Sequence, residues 1–278
     1  MFTPLIDQFV RDHKGHLATT TIRTYALVLA KMPELPMPLE AAKQWKADRL
    51  DVVGRATVCV DLRALKKFDE WYADSRGSEP LLTKLKFPKV AESSYAPAVS
   101  EEDCQKLIRT CDVSTVEGMR DAAIISMLWS TGMRRGECAR LKIAHLSFDL
   151  KEVVLFETKN GSARTSYVDA ITLKRCRMYL TARARAGIVS DDLWVGRKGG
   201  CTVSMIRLML VRRSKIAGVQ VSAHQFRRSV AQRWLRKGGS ETLLRSNLGW
   251  RSTTMVARYI RQNASELAMV EARRVLGN

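Results

Sequence analysis

Apolar positions recur every three or four residues through most of the chain, and short breaks set one such stretch apart from the next. Leu5–His13 and Thr19–Lys31 carry this helical period, and the second opens with threonines suited to capping. Pro33, Pro36 and Pro38 interrupt the pattern before a third helix over Leu39–Ala47. A longer helix is predicted over Thr57–Asp74, where Val58, Leu62, Leu65, Phe68 and Trp71 form one stripe that reads as core. Arg63, Lys66 and Lys67 lie off that stripe and either meet water or touch a polyanion. Gly77–Pro97 holds three prolines and little periodicity, which reads as a linker.

Beyond the linker, Ser100-x-x-Asp103 is a cap signature for a helix through Thr110. Gly118–Ser130 is a strongly apolar helix that stops at Thr131-Gly132. Val153–Thr158 and Ala163–Val168 flank Asn160-Gly161, the strongest short hairpin signal. From Ala170 to the end the patterns are helical again. The expected fold is mainly α with a small antiparallel β-hairpin or sheet, in two domains. Residues 1–87 form a helical domain, 88–98 a linker, and 99–278 a second domain ending in a tail helix. No internal repeat or low-complexity tract interrupts this plan.

Charge sharpens the picture. The chain holds 47 Lys+Arg against 28 Asp+Glu, a formal net charge of +19. Residues 1–95 contribute 15 bases and 12 acids; between Val203 and Arg261 there are thirteen bases and a single acid, Glu241. Solvated surfaces intersperse both signs, whereas a one-signed field draws polyanions and speeds their capture. Nucleic acid is the favoured partner. An RNA-binding protein is disfavoured because exposed aromatics for base stacking are not clustered.

Other classes recede. The six cysteines, Cys59, Cys104, Cys111, Cys138, Cys176 and Cys201, show no C-x-x-C pair, as expected for reduced thiols. His13 and His16 have no neighbours to complete a metal site, so no metal is expected. No apolar run reaches the roughly 18 residues of a membrane span; Ala122–Trp129 comes nearest and reads as a buried helix. The acid-bearing N-terminus lacks an apolar signal core, so export is not expected, and a cytoplasmic, nucleoid-associated protein is expected.

Four patches carry candidate chemistry. In T-G-M-R-R-G-E-C, Thr131–Cys138, a glycine ends a helix, Arg134 follows, and Glu137 lies one turn on. An arginine just past a helix end can hold two phosphate oxygens with its planar fork, although Arg and Glu at this spacing also form surface ion pairs. Lys159 stands beside the hairpin turn, where it can enter a groove and donate a proton or simply face water. In H-Q-F-R-R-S-V-A, His224 and Arg227 share a helix face while Phe226 and Val230 face the core. A near-neutral imidazole beside a permanent cation suits phosphoryl chemistry; a capping or core histidine is the bland alternative. In L-G-W-R-S-T-T-M-V-A-R-Y-I, Tyr259 follows Gly249 and Trp250, with Arg258 and Arg261 beside it. Most tyrosines are packing residues.

Taken together and in this order, the patches resemble the tyrosine recombinase family, the phage-type integrases and Xer-like recombinases. That pattern is an Arg in T-G-x-R-x-x-E, a Lys on a β-hairpin, H-x-x-R, L-G-H/W, and a Tyr nine residues later. The resemblance runs from about Ala98 to the C-terminus. Two departures stand out. Trp250 occupies a position where many members have histidine; its indole N–H donates one hydrogen bond but transfers no proton. The hairpin reads T-K-N-G where many relatives have G-K-G-x-K-x-R.

The resemblance implies that 1–87 is a core-binding DNA-binding domain and 99–278 the catalytic domain. It implies Arg134, Lys159, His224, Arg227, Trp250 and Tyr259 as catalytic residues, Tyr259 as nucleophile and Glu137 in support. Cleavage through a 3′-phosphotyrosyl intermediate would need no ATP, cofactor or metal. Implied partners are double-stranded DNA with two inverted core-type sites, a homotetramer joined through the C-terminal tail, and an accessory directionality factor. With residues 1–95 spent on core-site binding, a separate arm-binding domain is not expected. A phage or mobile-element integrase is favoured; an Xer-like resolvase, a type IB topoisomerase-like activity and a catalytically silent DNA-binding regulator remain as alternatives.

Overall fold

A computed structural model describes residues 3–90, 97–156, 163–197, 199–250, 252–253, 256–257, 260 and 264–276. The chain packs as two compact units, Met1–Tyr95 and Ala96–Asn278.

In the first unit four helices, α1 (Pro4–Asp12), α2 (Thr19–Leu29), α3 (Leu39–Val52) and α4 (Arg55–Asp74), surround one core. The α4 stripe is its spine: Val58, Leu62, Leu65 and Phe68 are fully buried against Ile6, Phe9 and Leu29. Ala18 holds the N-cap position of α2 and makes no side-chain cap bond, so the threonines begin that helix and do not cap it. His13 is pinned by a 2.9 Å hydrogen bond between its Nδ1 and the Phe9 carbonyl.

The stretch read as a linker departs from expectation. Leu82 and Leu85 are buried in the first core, and the Asp69 carboxylate accepts the Leu81 and Leu82 N–H groups at 3.2 and 2.8 Å. Two leucines spaced by a turn bury apolar area that an open linker would leave in water. Lys66 and Arg63 lie over the Phe87 ring, and Lys67 pairs with Glu70. Those three bases therefore have partners within the unit.

The second unit is organised on α6 (Val116–Thr131), which is buried on nearly every face. It packs against α5 (Glu101–Arg109), α8 (Ala170–Arg185) and α10 (Ala223–Arg236). Ser100 Oγ accepts the Asp103 N–H at 2.9 Å, the cap foreseen from sequence. After α7 (Arg135–Ala139) come β1 (Leu146–Ser147), β2 (Glu152–Phe156) and β3 (Ala163–Tyr167), one antiparallel sheet in the order β1-β2-β3. Val153 and Leu155 turn into the core, and Leu155 stands opposite Arg164.

The all-helical reading beyond Ala170 needs correction. A two-residue ribbon, β4 (Val195–Gly196) with β5 (Gly199–Gly200), precedes α9 (Val203–Ala217). Strands that short carry no period. Among the described residues, α11 (Glu241–Leu248) and α12 (Ala264–Leu276) follow; the tail helix α12 touches α10 of its own chain. Among the described residues, no helix is long and apolar enough to cross a membrane.

Several bases of the 203–261 stretch also serve the fold. Arg212 and Arg213 both donate to the fully buried Asp121 carboxylate, at 2.9 and 2.8 Å. Arg233 lies over the Trp129 ring, 3.9 Å from its centroid. A buried carboxylate must be paired, so the raw count of bases overstates the charge left for a ligand.

Candidate active site

The site begins where α6 stops. Thr131 Oγ1 donates to the Met127 carbonyl at 2.7 Å and accepts the Met133 N–H at 3.2 Å, closing the last turn. Gly132 follows in the left-handed conformation, φ +61°. A Cβ there would lie 3.0 Å from Val230 and 3.2 Å from the Leu248 side chain. Both the backbone angle and the close approach of α10 and α11 therefore require glycine.

That turn delivers Arg134 to the N-cap of α7. Its backbone N–H donates to Glu137 Oε2 at 2.7 Å and its Nη1 to Oε1 at 2.8 Å. Its Nη2 reaches the Gly249 carbonyl, 2.7 Å away and 115 residues along the chain. The Arg134 side chain is still 44% exposed, whereas that of Glu137 is 3%.

Arg227 arrives from α10. Phe226 and Val230 anchor that helix in the interior and turn Arg227 inward, 3% exposed. Its Nη1 donates to the Gly132 carbonyl at 3.1 Å and its Nη2 to the Leu248 carbonyl. The guanidinium carbon sits 5.3 Å from the centre of the Trp250 ring, a cation–π contact. Trp250 is itself buried among Val230, Leu244 and Leu248, and its backbone N–H closes back on the Arg245 carbonyl at 2.9 Å. Thus the guanidinium groups of 134 and 227 are held by adjacent carbonyls, those of Gly249 and Leu248. The T-G-x-R, H-x-x-R and L-G-W patches meet in one place.

His224 stands exposed one turn before Arg227. Partial burial of its ring, then the charges of Arg228 and Arg227, hold its pKa below the ordinary histidine value. That shift favours the neutral imidazole, the form able to accept a proton. For Glu137, burial pushes the carboxyl up, but hydrogen bonds and charge from Arg164 and Arg134 outweigh it and leave the group below the usual carboxylate range. Lys159 and Tyr259, with Arg258 and Arg261, lie outside the described residues.

Sequence reasoning missed Arg164 on β3. Its guanidinium grips Glu137 with two bonds, Nη1 to Oε1 at 3.0 Å and Nη2 to Oε2 at 2.7 Å, while Nε donates to the Asn247 carbonyl at 2.9 Å. Ser166, two residues on, donates to Asn247 Oδ1 at 3.3 Å. A signal existed: with Lys159 as the first lysine of G-K-G-x-K-x-R, the closing arginine falls at 164.

Comparison with known proteins agrees with this geometry. The sequence profile of the phage integrase family matches residues 98–266, and the chain belongs to that family of tyrosine recombinases. It is 24% identical over 262 residues to the tyrosine recombinase XerA of Pyrococcus horikoshii, covering 90% of this chain and 88% of that one. Among solved structures, the fold is similar to the XerH site-specific recombinase bound to a palindromic difH substrate in a post-cleavage complex. There the TM-score is 0.74 at 17% identity, over 96% of this chain and 83% of that one. It is also similar to the lambda integrase tetramer bound to a Holliday junction, with a TM-score of 0.71 at 14% identity, over 92% and 76% of the two chains.

Proposed function

We propose that this chain is a site-specific DNA recombinase that cuts and rejoins strands through a 3′-phosphotyrosyl intermediate. The observation that carries the reading is the anchoring of Arg134 and Arg227 on the neighbouring carbonyls of Gly249 and Leu248, ten and eleven residues before Tyr259. Attack on a phosphodiester gathers negative charge on the non-bridging oxygens, and preorganised cations stabilise it. An unperturbed phenol has a pKa of about 10, so a tyrosine nucleophile needs a proton acceptor and positive neighbours. Neutral His224 accepts that proton. Lys159 protonates the departing 5′ oxygen. Glu137 holds Arg134 in place, and Trp250 supports Arg227 from below.

The products are a phosphotyrosyl ester at the 3′ end and a free 5′ hydroxyl. The ester bond survives in the intermediate, so a second 5′ hydroxyl can attack it and rejoin the strand. Residues 1–87 would bind the core-type site, a linker near 88–98 would let both units engage one duplex, and the catalytic unit would act in a tetramer. The lambda integrase tetramer on a Holliday junction supports that assembly. Tail exchange between protomers, an accessory directionality factor, nucleoid association and a phage or mobile-element origin belong to the same proposal. An Xer-like resolvase would use the same residues, and a two-site assay of integration against resolution separates them.

A duplex nicked just beyond the scissile phosphate tests the chemistry, because the short 5′-hydroxyl fragment diffuses away and blocks resealing. The wild-type protein is expected to accumulate a denaturant-stable adduct that protease removes. Binding without any adduct would favour a silent regulator.

A further inference from the structure

The four-bond arrangement around Glu137 assigns a task to a residue that is itself almost buried. A single carboxylate, almost fully buried, is shared by two guanidinium groups. Arg134 uses one end of its fork on Glu137 and remains 44% exposed; Arg164 is 11% exposed and spends both terminal nitrogens on the carboxylate. Charge decides what this means. Arg134 and Glu137 alone sum to zero, and a neutral pair attracts a phosphate weakly. With Arg164 added the group sums to one positive charge, and the exposed member is Arg134.

We propose that Arg164 is a positioning residue that neutralises Glu137, so that the carboxylate can orient Arg134 without cancelling its pull on the DNA phosphate. This inference rests on the recombinase reading. Geometry supports it twice over. The Arg164 Nε bond to the Asn247 carbonyl ties the same guanidinium to the end of α11, just before the Leu248 and Gly249 carbonyls that hold Arg227 and Arg134. Ser166 binds the Asn247 side chain from the same face of β3. Orientation and charge balance thus reach the arginine pair through one side chain. Charges a few ångströms apart in a site of reduced dielectric interact far more strongly than in water, so the repulsion from an unneutralised Glu137 would be felt at the phosphate.

The test is a cycle of variants measured by single-turnover cleavage of the nicked duplex at saturating protein. Arg164→Met is expected to cleave about a hundredfold more slowly, with the affinity for the uncut site unchanged. Adding Glu137→Gln removes the uncompensated carboxylate, and the double variant should return to within about tenfold of wild type. Measurements are made well below each melting temperature, so that folded fraction does not enter. Should Arg164→Met fail to fold, Glu137→Gln with Arg164 retained and the double variant carry the test, since both lack the negative charge and should cleave within about tenfold of each other. A single Arg164→Met variant that cleaves at the wild-type rate overturns the assignment, as does a double variant no faster than the single. Failure of the wild-type protein to form any adduct would instead remove the recombinase reading itself.

Discussion

Arg227→Ala is expected to slow adduct formation by about 10²- to 10³-fold, the usual cost of losing one preorganised donor to a developing oxyanion. Binding to the uncut site should change little, because affinity for DNA draws on many backbone contacts. Arg227 also serves the fold, since it satisfies the Gly132 and Leu248 carbonyls. Leaving those groups unpaired costs about 1–3 kcal/mol, and a melting curve beside the kinetics keeps the two effects apart. Lysine is no substitute: one ammonium cannot reach both carbonyls and still present a planar face to Trp250. Arg134→Ala should show a similar kinetic loss with less effect on stability, since its side chain is 44% exposed where that of Arg227 is buried. Single-turnover rates within tenfold of wild type for either variant would contradict the assignment.

The largest effect on stability should come from Glu137→Ala. Its carboxylate accepts four hydrogen bonds, from the Arg134 N–H and guanidinium and from both terminal nitrogens of Arg164. Alanine would remove the carboxylate that both terminal nitrogens of the nearly buried Arg164 guanidinium hold, and breaking a buried pair in this way costs about 3–5 kcal/mol. The sign of the pH dependence follows from the lowered pKa of Glu137. A carboxyl that ionises more readily when folded stabilises the protein above its unfolded pKa and loses that contribution as pH falls through the folded value. Urea melts should therefore show a wild-type advantage that is full near pH 7 and shrinks below about pH 4.5. An advantage that persists unchanged into acid would mean the carboxylate's charge is not what matters.

How much of this was legible in the sequence depends on how local each feature is. The α4 stripe and the Ser100 cap were readable because each is decided within a few residues of itself. The end of α6 was equally plain, although the second reason for Gly132, the approach of Val230 and Leu248, needed the fold. Leu82 and Leu85 were hidden in a proline-bearing segment because their burial depends on α4, which supplies Asp69 to receive the backbone. The β4–β5 ribbon was invisible for a simpler reason, since two residues have no period.

At the site, the order of motifs marked Arg134, Glu137, His224, Arg227 and Trp250, and the structure brings Arg134, Glu137, Arg227 and Trp250 into one connected network with His224 a turn away. What no motif expressed was the use of main-chain carbonyls: any residue type at 248 or 249 offers one. Arg164 escaped because its meaning is a three-body relation with Glu137 and Asn247. The charge count pointed toward polyanions, yet Arg212, Arg213 and Arg233 show that some of those bases hold the fold together.

The central claim is that the phenol of Tyr259 attacks the phosphate gathered by Arg134 and Arg227. The most direct test is to trap the wild-type adduct on the nicked duplex, digest protein and DNA, and locate the remaining nucleotide by peptide mass spectrometry. A 3′-linked nucleotide on the oxygen of Tyr259 is the expected result. A nucleotide on any other residue, or one joined through a 5′ phosphate, would contradict the account.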